Sequence, residues 1–153
     1  MREELEAKLM ERYGILFKGA EDPRQSLMYF GFACGDGWYT IIENLCGCIL
    51  NEYENDMSQF KYKLEAGKVT EEDRPEPVRV MQVKEKFGGL RFYVDAASQT
   101  IHGMIRMAEA MSYHTCEDCG HPGERRPGGW IHTFCDSCHA AYEAKRLGYL
   151  KQT

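Results

Sequence analysis

Four cysteines in the last third of the chain have the spacing that gathers a metal ion. Cys116 and Cys119 form one Cys-x-x-Cys pair, Cys135 and Cys138 form a second, and fifteen residues lie between them. Each such turn aims two sulfurs at one point, and two turns complete a tetrahedron around Zn²⁺ with no position left open. The expected cofactor is therefore one structural Zn²⁺. Four thiolates would leave a local charge near −2, which backbone N–H groups and Arg125, Arg126 or His139 could partly offset. His121, His132 or His139 could replace one sulfur, and a redox dithiol or an iron–sulfur centre could draw on the same residues.

The surroundings of the pairs suggest how they are held. Gly120 suits a tight knuckle, GGWIHTF can form a short strand, and DSCHAAYEAKRL leads into a helix ending near Gly148. A knuckle, a hairpin and a second ligand pair at a helix start make a treble-clef-like module over residues 114–150. The positive end of that helix favours thiolate over thiol.

A closed four-sulfur site holds structure together and does not perform catalysis. Zinc deaminases need His-x-Glu and Pro-Cys-x-x-Cys, yet no histidine has Glu two positions on, and Thr115 and Phe134 precede the pairs. A His-Asn-His nuclease needs an asparagine near the metal, and none occurs after Asn55. His-Glu-x-x-His, a phosphate-binding glycine loop and Gly-x-Ser-x-Gly are also missing from the sequence. The expectation is a protein that is not an enzyme. A metal-dependent nuclease or hydrolase would need a dispersed site.

Other elements must position this cluster. Residues 3–13 favour a short helix. In GDGWYTIIENLCGCILNEYEND the apolar residues Trp38, Ile41, Ile42, Leu45, Cys46, Ile49, Leu50 and Tyr53 recur at helical spacing, which predicts a central helix over about 37–54 capped by Asp36. Residues 56–77, polar and ending in RPEPV, have the composition of a mobile linker. VRVMQVKEKFGGLRFYVDA alternates around Gly88-Gly89 and predicts a hairpin pairing Phe87 with Leu90, Glu85 with Phe92 and Val83 with Val94. Its other face pairs Lys86 with Arg91 and Lys84 with Tyr93. Like charges facing one another are unfavourable unless an anion is near, so this face is either neutralised within the chain or a surface for an acidic partner. Residues 98–113 form a second amphipathic helix with Ile101, Met104, Ile105, Ala108 and Met111 inward and His102 outward. Cys34, Cys46 and Cys48 suit small apolar filling.

The fold class expected is α+β: amphipathic helices packed on a β-hairpin in residues 1–113, followed by the zinc module. Seven cysteines, an odd number with metal spacing, suit a reducing cytoplasm better than a disulfide framework. No leader or membrane-spanning run is expected from the sequence. The net charge of −5 is uneven: residues 1–77 carry 9 basic against 16 acidic residues, and residues 78–153 carry 10 against 8. A nucleic-acid role would therefore need a local basic surface.

The runs QVKEKFGGLRFYVD, IHGMIRMAEAMS and CEDCGHPGERRPGGWIHTFCDSC resemble a group of small uncharacterised proteins of bacteria, prophages and bacteriophages, over roughly residues 78–139, with an echo in GWYTIIENLC. In several of that group the second pair is Cys-x-x-His, which makes His139 an alternative ligand to Cys138. The resemblance implies a phage-derived protein in the bacterial cytoplasm that binds and modulates a host or phage protein, for example in anti-defence. The expected contact residues are Lys84, Lys86, Arg91, Tyr93, Arg125, Arg126 and Trp130. In the alternative, the same cations and Trp130 meet phosphates and bases, and a nucleic acid is the partner.

Overall fold

The apolar stripe that begins at Trp38 forms the longest helix of the protein, and the rest of the core is built on it. The computed structural model describes residues 1–126 and 128–150. Among these residues the chain forms α1 (Glu3–Arg12), α2 (Tyr39–Glu65), the hairpin β1 (Val80–Lys86) and β2 (Gly89–Val94), and α3 (Gln99–Ser112). A second hairpin of β3 (Glu124–Arg126) and β4 (His132–Phe134) and the helix α4 (Asp136–Leu150) complete the α+β architecture. Trp38, Ile42, Cys46 and Ile49 are fully buried, against Leu9 of α1, Val83, Leu90 and Phe92 of the hairpin, and Ile101, Ile105 and Ala108 of α3. Each large apolar side chain buried in this way contributes about 1.5–3 kcal/mol.

Two expectations about α2 need correction. Asp36 does not cap it. A 3₁₀ turn, Asp36–Trp38, precedes the helix, and the Asp36 carboxylate instead accepts the Arg2 backbone N–H at 2.7 Å and pairs with the Arg2 guanidinium. The helix also runs past residue 54 to Glu65, so much of the expected linker is helical. Tyr53, Met57, Phe60 and Leu64 continue the stripe at spacings of four, three and four, and Phe60 is buried. The end is a Schellman motif: Gly67, at φ 67°, donates to Leu64 O at 3.0 Å, and Lys68 N donates to Lys63 O at 2.9 Å. Thr70 and Asp73 then close a capping box around a short 3₁₀ turn.

The first hairpin forms one residue earlier than glycine placement suggests. Glu85 pairs with Leu90, Lys84 with Arg91 and Val83 with Phe92, which puts Phe87 and Gly88 in the turn. Both have positive φ, 56° and 78°, as a primed two-residue turn requires. Gly89 is needed elsewhere: a Cβ there would stand 2.5 Å from the Tyr113 ring. Moving the turn by one position shifts each cross-strand partner by two residues, so the faces are unchanged. Val83, Leu90 and Phe92 face the core while Lys84, Lys86, Arg91 and Tyr93 share the outer face. The two edges are covered. Ala33 bonds β1 through Val83 O and Glu85 N, and the β2 edge donors Leu90 N and Phe92 N reach Ser112 Oγ at 2.8 Å and Glu109 Oε1 at 3.2 Å. Ser98 caps α3, whose Ile101, Ile105 and Ala108 point inward as expected. Met111, also expected inward, is 49% exposed. Cys34 and Cys46 are buried, but Cys48 is exposed and fills no core space.

Candidate metal centre and binding surface

The knuckle that carries Cys116 and Cys119 is fixed by backbone bonds on each side. Gly120 N donates to Cys116 O at 2.9 Å, and Gly120 adopts φ 78°. Cys116 N donates to His121 O at 2.7 Å, and Glu117 N donates to Thr133 O on β4 at 2.9 Å. Cys135 follows β4 directly and Cys138 lies in the first turn of α4, where His139 N donates to Cys135 O at 2.9 Å. The order is thus knuckle, hairpin and helix.

These elements bring the four sulfurs within 4.8 Å of one another. Cys119 Sγ and Cys135 Sγ are 3.6 Å apart, against about 3.8 Å for sulfurs on a tetrahedron with Zn–S of about 2.3 Å. The set can hold one metal ion. The Ser137 hydroxyl, 3.2 Å from Cys135 Sγ, and the Cys138 backbone N–H pull the Cys135 thiol down to about 6. Burial and the neighbouring thiols push Cys138 the other way. Four thiolates this close cannot all carry charge unless a cation lies among them, and a coordinating cation removes their protons outright. His121 Nδ1 lies 3.3 Å from Cys119 Sγ, placed as a donor to that sulfur. His139 does not join the four sulfurs, the one such cluster found among the described residues; its ring lines a separate cavity with His132.

The knuckle is docked onto the first half of the chain by a loop that sequence reading treats only as glycine-rich. Gly37 N donates to Glu117 O at 2.7 Å, Gly35 N donates to Glu117 Oε1 at 3.0 Å, and Trp38 Nε1 donates to Thr115 O at 2.9 Å. A Cβ on Gly37 would stand 2.1 Å from Cys116 O, so only glycine allows this approach. Burial raises the Glu117 carboxyl to about 7 despite the hydrogen bond from Gly35. No spacing rule links residues 35–38 to 115–117, so the contact left no signal in the sequence.

The expected contact residues do not all share one environment. Arg91 and Arg125 flank Tyr113, at 5.9 and 5.4 Å from its ring centre, and Arg91 Nη2 donates to the Tyr113 hydroxyl at 2.9 Å. Arg125 also donates to Phe87 O at 3.2 Å, and Thr133 Oγ1 donates to Gly88 O, so the metal module grips the hairpin turn. Lys84 and Lys86 lie over the rings of Tyr93 and Phe87 at 5.5 and 5.4 Å. Among the described residues Lys84, Lys86, Arg91 and Arg125 form no ion pair. Arg126 is committed internally, with its guanidinium on Glu124 at 2.7 Å and Asp136 at 2.5 Å.

Trp130 is 67% exposed, and it lines a cavity of about 390 Å³ with Ile131, Lys86 and Phe87. Phe87, which sequence reading did not single out, is 63% exposed in spite of its positive φ. An aromatic flanked by Gly-Gly at a hairpin tip is the signal that could have found it.

Among the described residues no helix is long and apolar enough to cross a membrane. Compared with protein-family models, with curated proteins and with solved structures, the chain gives no match.

Proposed function

We propose that this is a non-enzymatic interaction protein in which a structural Zn²⁺ on Cys116, Cys119, Cys135 and Cys138 holds a treble-clef-like module against the hairpin, so that both present one surface to a partner protein. The observation that carries the reading is the pair of exposed aromatics, Phe87 and Trp130, which line one cavity together with Lys86 and Glu85, with Arg125 bonded to Phe87 O. Two exposed aromatic anchors, on a hairpin whose outer face carries Lys84, Lys86 and Arg91, suit a partner segment with an apolar side chain near acidic residues. The resemblance to phage and prophage proteins supports a host or phage protein as that partner, in the bacterial cytoplasm.

Retention of partners on the immobilised protein tests this, with each captured protein then purified and its binding measured directly. A purified partner that binds the wild type and is lost from Trp130→Ala and Lys86→Glu supports the reading. Equal retention on both variants contradicts it. A nucleic acid is the second reading, favoured by the same mixture of cations and aromatic faces. It requires an oligonucleotide to bind with an affinity that falls steeply as salt rises and that is lost in the same two variants.

A further inference from the structure

Between the second hairpin and α4 lies a cavity of about 250 Å³, walled by the rings of Trp130, His132 and Tyr142 and by His139. The charges on its lining are already paired within the chain. Arg126 is held by Glu124 at 2.7 Å and Asp136 at 2.5 Å, and Arg146 by Glu143 at 2.8 Å, so the cavity calls for neither a cation nor an anion. Two polar atoms are left over. His132 Nε2 and His139 Nδ1 are buried and have no hydrogen-bond partner among the described residues, whereas buried polar atoms are nearly always satisfied. One water fills only about 30 Å³, so the space admits something larger. It is also smaller than the roughly 300–1,000 Å³ of pockets for drug-sized molecules, which suits one flat ring system.

We infer that this cavity takes a single unstacked nucleobase, an uncharged planar ring whose edge carries both donors and acceptors. Bases stack on exposed aromatic faces, and Trp130, 67% exposed, offers one. The His132 ring is fixed in place, stacked on Phe134 at 4.7 Å and 6° and meeting the edge of Tyr142 at 4.6 Å. Burial lowers the pKa of His132, which keeps this imidazole neutral, with one ring nitrogen donating and the other accepting. The choice of tautomer lets it meet either kind of group on a base edge, and a second imidazole on a separate element reads a second group. A phenol or alcohol side chain from a protein carries one polar group and would leave one of the two nitrogens unpaired. Trp130 also borders the cavity that holds Phe87 and Lys86, but His132, His139 and Tyr142 do not, so base capture does not depend on what that surface binds.

The test titrates the full-length protein with adenosine, guanosine, cytidine and uridine, followed by calorimetry and tryptophan emission. Trp38 is fully buried, so quenching by a bound base reports on Trp130. At least one nucleoside should bind one to one and quench. His132→Phe, which keeps the ring stack and removes the nitrogens, and Trp130→Ala should each weaken that binding roughly tenfold, with near-UV circular dichroism and metal content showing that the fold survives. A short single-stranded oligonucleotide that binds more tightly than the nucleoside, and is equally sensitive to His132→Phe, assigns the base to a strand; equal affinity assigns a free nucleoside. Absence of binding by all four nucleosides at millimolar concentration, or binding unchanged in His132→Phe, overturns the inference.

Discussion

Two kinds of residue set the metal module, and only one kind was legible in the sequence. The cysteines announced themselves because ligand spacing is a local property, readable within a few residues. Gly37 did not, because the carbonyl it must approach belongs to Cys116, far along the chain. Gly37→Ala should destabilise the protein by roughly 2–4 kcal/mol, the range for a backbone clash that side chains cannot absorb, measured as a lowered denaturant midpoint. Cys116→Ser removes a fully buried ligand, so it should abolish stoichiometric zinc retention and unfold residues from about 114 onward. Metal analysis with near-UV circular dichroism would show both effects. Retention of one tightly held zinc by this variant would argue against Cys116 as a ligand.

Among the elements, periodicity located every long helix but misjudged where α2 stops. A polar composition over residues 56–65 masks a stripe of only three apolar side chains, Met57, Phe60 and Leu64, which is still enough to carry the helix to Gly67. The hairpin was legible in its faces and not in its turn, since the claim of Tyr113 on Gly89 is a tertiary effect. The outcome leaves Phe87 in a left-handed conformation that side chains other than glycine, asparagine and aspartate seldom adopt. Strain kept at an exposed position is often kept for function. Phe87→Gly should therefore raise stability by about 1 kcal/mol, read from thermal or denaturant unfolding, while weakening partner binding. A loss of stability would mean that the Phe87 side chain holds the turn together and does not serve a partner.

In the whole molecule, the cysteine module meets the acidic first half of the chain through Gly35, Gly37 and Trp38, and it holds the hairpin turn through Arg125 and Thr133. The cysteine cluster thus lies where two parts of the chain meet. The α+β class, the helix order and the gathering of the four cysteines could be read from residue patterns. The way the module sits on the hairpin could not, because it rests on single hydrogen bonds between distant segments. The central claim is that the four-cysteine metal is the staple of this arrangement. Hydrogen exchange measured before and after chelation, with zinc release followed in parallel, tests it most directly. Loss of the cysteine-bound zinc should remove protection from residues 114–148 and from the Phe87–Gly88 turn, while the core of α2 around Ile42 and Ile49 stays protected. A protein that holds no zinc at these cysteines, or whose exchange is unchanged when the zinc is removed, would contradict it.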